Sequence, residues 1–176
     1  MSARCEIVSL GLFQVTWFAC AFGAARGTAL PGLLAAAVLV LWFVATSARR
    51  GNALVLLILS GCVGLAGETA LLALGLLAYA AHWPVAGLAP AWIVALWIAF
   101  GATLAPFARM LGKRPMLLSI PLGLFLAPLS YLGGARIGAI AFPEPALGGL
   151  MATGVLWAMA LPLLMAAHLR LGDPRT

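Results

Sequence analysis

The chain has 176 residues, of which 65% are hydrophobic and only 8% are charged. A soluble domain of this length has roughly a quarter charged residues, so the composition excludes an aqueous surface and indicates an integral membrane protein. The net charge of +6 comes from ten Lys and Arg against four Asp and Glu. These charges lie in short clusters between apolar runs. That pattern is typical of topology signals and predicts no nucleic-acid partner.

Six apolar runs are long enough for a helix to cross a hydrocarbon core of roughly 30 Å, which takes about 20 residues. The runs lack the alternating pattern of a barrel strand. The sequence therefore predicts an all-α integral membrane bundle of six transmembrane helices, forming a single polytopic transmembrane domain over residues 1–176. The predicted spans cover residues 7–25, 29–46, 53–80, 88–107, 115–132 and 146–167.

Basic residues predict the orientation of this bundle. With six spans, the two termini and the loops after spans 2 and 4 share one side of the membrane. Eight of the ten basic residues lie on that side, namely Arg4, Arg49, Arg50, Arg109, Lys113, Arg114, Arg170 and Arg175. Because Lys and Arg are enriched in cytoplasmic loops, both termini are predicted to be cytoplasmic.

Two regions are irregular. Span 3 has about 28 residues, or roughly 42 Å of helix, so we expect it to tilt or to break at Gly64–Gly67. Residues 132–145 are too few to cross the membrane again. We expect them to form an outer loop with a short interfacial helix or a segment that dips back between the helices, and we favour the dipping segment.

Glu68 is a single carboxylate inside span 3. An ionisable residue within a span is costly and usually has a structural or functional role. Counted from Ala53, Glu68 lies about 22 Å into the membrane, in its outer half. Gly61, Gly64 and Gly75 lie close to the same helical stripe, which lets another helix approach. We therefore expect Glu68 to face protein rather than lipid.

Only two cations fall on the predicted outer side, Arg26 and Arg136. Arg136 is flanked by glycines, so a Glu68–Arg136 pair is our preferred constellation. The structural alternative is an ion pair or a hydrogen-bonded neutral acid that holds the bundle together. Tyr131, at the outer end of span 5, is either an interface anchor or a proton donor or headgroup ligand beside Arg136.

Span 1 carries Gln14, Trp17, Phe18 and Ala21 at offsets of 3, 4 and 7, which place them on one helical face. Gln14 lies at mid-membrane and needs polar partners, so it either links helices or lines a pocket beside Trp17. Trp97 likewise lies away from the interfacial belts. Deep tryptophans pack between helices or line a ligand cavity.

Motifs for hydrolysis, phosphate binding or metal binding are missing from the sequence. The three cysteines include no CxxC pair, and the four acidic residues are too few for paired-carboxylate metal chemistry. The sequence therefore predicts no cofactor and no metal site.

The chain resembles a family of small bacterial inner-membrane proteins of unknown function. The resemblance rests on LFQVTWFACAFGAA, GLAGETALLALG, PAWIVALWIAFGATL and APLSYLGGARIGA, at Leu12–Ala25, Gly64–Gly75, Pro90–Leu104 and Ala127–Ala139. The family usually has Asp where this chain has Glu68, often has Asn near Val8 and Ser9, and often has Ser where Ala105 and Pro106 stand. The resemblance implies a multi-pass protein of the bacterial inner membrane and brings no reaction.

Taken together, these patterns predict a protein that binds or helps process a membrane lipid or other hydrophobic ligand. The predicted site lies in the outer leaflet between spans 1, 3, 4 and 5, with Glu68 and Arg136 meeting the polar part of the ligand. Membrane lipids are the predicted partners, and a membrane enzyme is a second one. The alternatives are a small proton-coupled transporter, hinged at Gly64–Gly67, and a scaffold or assembly partner for membrane enzymes.

Overall fold

The computed structural model of the protein describes residues 3–171, with side chains described from Cys5 onward. The side chains of Arg4 and Arg175, two of the predicted orientation charges, lie outside that range. The described elements are α1 (Ala3–Ala25), α2 (Leu30–Thr46), α3 (Arg50–Ala73), β1 (Ala78–Tyr79), α4 (Ala91–Gly101), α5 (Leu104–Leu111), α6 (Pro115–Ile137), β2 (Ile140–Ala141) and α7 (Leu147–Leu171). The fold is thus helical apart from two strands of two residues each.

The length and composition of the helices indicate a multi-pass membrane protein. Helices α1, α3, α6 and α7 are each long and apolar enough to cross a membrane. Helices α4 and α5 pass the same test as a pair bent by 53°, which gives up to five candidate spans. Helix α2 has 17 residues, fewer than the about 20 that a span needs. The described residues therefore hold four to five candidate spans, and six crossings stay a prediction.

Prolines and glycines mark several helix ends. Pro31 and Pro115 lie in the first turns of α2 and α6, where a missing N–H leaves no hydrogen bond unmade. Gly138 ends α6 with a φ of +90°, in the left-handed region that glycine adopts without a steric cost. These signals are local, which explains why the sequence located most helix ends to within a few residues. The exceptions are the ends of α3 and α6.

The predicted break in the third span is wrong. Helix α3 runs without interruption from Arg50 to Ala73, through both Gly64 and Gly67. These glycines serve close packing instead: a methyl group at Gly64 would overlap the Trp97 side chain, and one at Gly67 would overlap Leu156. The span is shorter than predicted because the chain turns at Gly75, which has a φ of +66°.

The segment after the fifth predicted span consists of the end of α6 followed by β2, and residues 138–146 contain no separate interfacial helix. Helix α6 continues to Ile137, past the predicted end at residue 132. The chain then pairs β2 with β1 in antiparallel register, with Tyr79 opposite Ile140 and Ala78 opposite Ala141. This backbone pairing joins the loop after α3 to the loop after α6.

The helices of the bundle differ in how closely they pack on one another. Helix α6 packs mainly on α7, α1 packs mainly on α2, and α3 packs on α4 and α7. Contact between α1 and α6 is slight by comparison. Few contacts therefore close the interior between these two helices.

Candidate functional site

Glu68 lies at the centre of a buried cluster of hydrogen-bond donors. Its side chain has no exposed surface. The indole N–H of Trp97 donates to Oε1 at 2.6 Å, and the hydroxyl of Tyr131 donates to the same oxygen. The hydroxyl of Tyr79 donates to Oε2. A carboxylate only accepts hydrogen bonds, so three donors satisfy a group that would otherwise be costly to bury.

Each donor comes from a different element. Tyr79 belongs to β1, Trp97 to α4 and Tyr131 to α6, while Glu68 itself lies in α3. The carboxyl group therefore ties together four segments that are distant in the chain. We call these four residues the carboxyl cluster.

The predicted Glu68–Arg136 pair is not formed. Arg136 is exposed, and the hydrogen bonds of Glu68 run to neutral side chains. Helical geometry gives the reason. Arg136 follows Tyr131 by five residues, about 500° of rotation, so the two side chains point roughly 140° apart around α6. Tyr131 faces the bundle interior, which turns Arg136 away from it.

Tyr79 was missed by the sequence reasoning. It falls near the end of the predicted third span, where a straight helix would carry it about 16 Å beyond Glu68. The turn at Gly75 brings it back, and its ring packs edge-on against Trp92 with 5.6 Å between ring centroids. Trp92 is buried, and its indole N–H donates to the Ala80 carbonyl oxygen at 3.0 Å.

Trp157 on α7 extends the carboxyl cluster and was also outside the predicted site. Its indole N–H donates to the hydroxyl oxygen of Tyr131 at 3.3 Å. Its ring stacks on Trp97, with centroids 4.1 Å apart and planes 22° apart. Trp157 thus supports both the phenol and the indole that bind Glu68, and its depth in the sixth predicted span was the signal available in the sequence.

A cavity of about 430 Å³ lies against the carboxyl cluster. Helices α1, α4, α5, α6 and α7 supply most of its walls, together with β2. Four of the predicted site residues line it, namely Gln14, Trp17, Trp97 and Tyr131. Glu68 lies behind Trp97 and Tyr131 and is not part of the wall, and Arg136 is not part of it either.

The cavity reaches the outer surface of the bundle between α1 and α6. Gln14 and Phe18 on α1, and Leu126 and Ser130 on α6, are exposed and line the cavity at the same time. The indole N–H of Trp17 donates to the hydroxyl oxygen of Ser130 at 3.0 Å, across the gap between the two helices. We call this region the mouth of the cavity.

A second buried carboxylate lies near the N-terminal end of α1. Glu6 is 5% exposed and forms an ion pair with Arg109 of α5. The pair lines a separate pocket of about 470 Å³ beside the start of α3 and the end of α7. Sequence reasoning treated Arg109 as a topology charge and passed over Glu6.

Within residues 3–171, no three His, Cys, Asp or Glu side chains lie together where they would hold a metal ion.

Comparison with known proteins assigns the chain to a family through its sequence. The family model described as "Protein of unknown function (DUF2878)" matches residues 6–163, which is most of the chain. No curated protein and no solved structure matches it.

Proposed function

Since the chain belongs to the DUF2878 family of proteins of unknown function, we propose its function from the site: it binds a membrane lipid or other hydrophobic molecule in the cavity beside the carboxyl cluster. The observation that carries this proposal is the cavity itself. It is concave, mostly apolar and opens on the outer surface of the bundle between α1 and α6, which supports a site for a hydrophobic ligand.

The proposal includes a membrane arrangement. We place the protein in the bacterial inner membrane with six crossings and both termini in the cytoplasm, as one domain. The charge distribution supports this orientation. Each predicted crossing corresponds to a described helix or to the bent pair α4–α5, and α2 would cross as a short helix in a locally thinner bilayer.

The ligand enters from the side in this proposal. The mouth lies between α1 and α6, which contact each other little, so a lipid tail reaches the cavity without crossing the helix ends. The hydrogen bond from Trp17 to Ser130 spans the mouth and has to be passed or broken as the ligand enters.

The carboxyl cluster has an indirect role. Glu68 accepts hydrogen bonds from Trp97 and Tyr131, and these two side chains form part of the cavity wall. Glu68 thereby fixes the shape of the closed end of the cavity without touching the ligand, which revises the expectation that Glu68 and Arg136 meet its polar part.

The proton-coupled transporter has less support than it had from sequence. Its hinge was the break at Gly64–Gly67, and α3 is continuous there. Glu68 also has no exposed surface from which it would exchange protons. The scaffold alternative keeps its original basis in sequence and gains no specific observation.

Lipid analysis of two matched variants tests the proposal. Leu126→Trp places a large ring in the mouth, whereas Leu129→Trp makes the same change three residues later at a 63% exposed position outside the cavity. Each protein is purified in a mild detergent, and its bound lipids are quantified by mass spectrometry. We expect a specific lipid to accompany wild type and Leu129→Trp, and to fall by about tenfold in Leu126→Trp.

The proposal is overturned if both variants carry the same lipids in the same amounts as wild type. A folding control is built in, because both substitutions lie on the exposed side of α6 and should elute from a sizing column as wild type does.

A further inference from the structure

The wall of the cavity has a second property, which concerns charge. Its described lining includes no Asp, Glu, Lys, Arg or His side chain. The nearest ionisable carboxyl group, Glu68, has all its hydrogen bonds directed to protein groups. A ligand charge placed in this cavity would lose its hydration and find no opposite charge, which is strongly unfavourable.

The hydrogen-bond donors in the cavity wall already have acceptors within the protein. Four indole rings line the cavity, and each N–H has a protein acceptor: Ser130 for Trp17, the Ala80 carbonyl for Trp92, Glu68 for Trp97 and Tyr131 for Trp157. The hydroxyl of Tyr131 donates to Glu68. None of these N–H and O–H groups is available for a ligand unless an existing bond breaks.

Two polar groups at the mouth remain available. The amide of Gln14 makes no hydrogen bond to any part of the chain that the structure describes, and the Ser130 hydroxyl accepts from Trp17 while donating to no described group. An amide and a hydroxyl together offer donors and acceptors without a net charge. They suit a neutral group such as a hydroxyl, an ester or an amide.

The depth of Gln14 and Ser130 in the bundle also favours a neutral ligand group. Gln14 is near the middle of the 23-residue α1, and Ser130 lies well inside the 23-residue α6. Both positions are far from the helix ends where charged lipid headgroups lie. A ligand that reaches them brings its polar group toward the middle of the bilayer.

From these observations we infer that the cavity selects an uncharged, single-chain amphiphile, held through a neutral hydroxyl, ester or amide by Gln14 and Ser130. This inference rests on the proposed function and specifies the ligand. A volume of about 430 Å³ is near the lower end of the roughly 300–1,000 Å³ typical of ligand pockets, which favours one chain over the two chains of a phospholipid.

Quenching of tryptophan fluorescence by brominated amphiphiles tests the inference. Three probes share one brominated alkyl chain and differ in their head: a glycerol ester, a sulfate and a trimethylammonium group. The protein carries the Trp83→Phe substitution, which removes an indole that is 60% exposed and outside the cavity. Saturable quenching then reports mainly on the indoles that line the cavity.

We expect the glycerol ester to reach half-saturation at a concentration at least about tenfold lower than either charged probe. Gln14→Leu removes the amide and keeps an apolar side chain at the mouth. It should raise the half-saturation concentration of the glycerol ester by about tenfold, and it should leave those of the two charged probes within about twofold of their wild-type values.

The outcomes separate the two proposals. If no probe quenches saturably, the hydrophobic-ligand function and the inference both fail. If all three probes bind equally, or a charged probe binds more tightly to wild-type Gln14, the inference fails and the hydrophobic-ligand function stands. An unchanged half-saturation concentration of the ester in Gln14→Leu would also overturn the assignment of Gln14 as the polar contact.

Discussion

The two buried glutamates of the described chain are stabilised in different ways. Glu6 pairs with a cation, Arg109, whose side chain is 53% exposed. Glu68 has no exposed surface, and its hydrogen-bond donors are two phenols and an indole. Glu6 joins two helices near the bundle end, whereas Glu68 joins four segments in its interior.

This difference shows how position in a membrane protein selects the partner of a carboxyl group. Near the end of a bundle, a long arginine side chain keeps part of its guanidinium in water while it pairs. In the interior a second charge would have to be desolvated too, and neutral donors satisfy a carboxylate at a smaller cost. The predicted Glu68–Arg136 pair overlooked this alternative.

Replacing Glu68 by Leu should have the largest effect. It leaves the Tyr79, Tyr131 and Trp97 donors buried without their acceptor, and each unsatisfied group costs about 1–3 kcal/mol. We expect the free energy of unfolding to fall by about 3 kcal/mol or more, measured by denaturant titration in detergent. Glu68→Gln, which keeps one acceptor oxygen, should lose about half as much. A Glu68→Leu protein as stable as wild type would show that the cluster contributes nothing to stability.

A substitution at Gly64 should disrupt the carboxyl cluster by displacing Trp97. In Gly64→Ala the added methyl group overlaps the Trp97 side chain and displaces the indole that donates to Glu68. We expect a loss of about 2 kcal/mol in the same titration. Gly51→Ala is the matched control on α3, because nothing lies within 4 Å of its added methyl group. It should be neutral or stabilise by up to about 1 kcal/mol. Equal effects of the two substitutions would contradict this packing argument.

The ion pair of Glu6 should respond to salt, whereas the carboxyl cluster should not. A double-mutant cycle of Glu6→Gln and Arg109→Gln should give a coupling energy of about 1 kcal/mol that decreases as the salt concentration rises. The comparison cycle combines Glu68→Gln with Tyr131→Phe, and its coupling should stay constant over the same range. The contrast between the two glutamates is lost if both couplings decrease alike.

The smallest effect is expected at Arg136. Its side chain is exposed and is not a hydrogen-bond partner of Glu68, so Arg136→Gln should change the free energy of unfolding by less than about 0.5 kcal/mol. The measurement is the same detergent titration. A loss comparable to that of Gly64→Ala would restore Arg136 as a partner of the cluster.

Much of this protein could be predicted from its sequence, because the evidence for it is local. Composition alone required a membrane environment, and the apolar runs located each helix or bent helix pair, although the ends of α3 and α6 differ from the predicted ones. A spacing of 3, 4 and 7 placed Gln14, Trp17, Phe18 and Ala21 on one face of α1, and all four line the cavity. The cost of a carboxylate in a span identified Glu68 as a residue that needs partners.

The identity of those partners was decided by the tertiary structure. Tyr79, Trp97 and Tyr131 are separated from Glu68 by 11, 29 and 63 residues in the chain. Helical periodicity tells which residues share a face of one helix, but it does not tell which helices meet or where a chain turns back. Contacts between distant segments decide three features: the turn at Gly75, the pairing of β1 with β2, and the Glu6–Arg109 ion pair. The sequence therefore identified the carboxylate, and the packing of distant segments supplied its donors and shaped the cavity beside it.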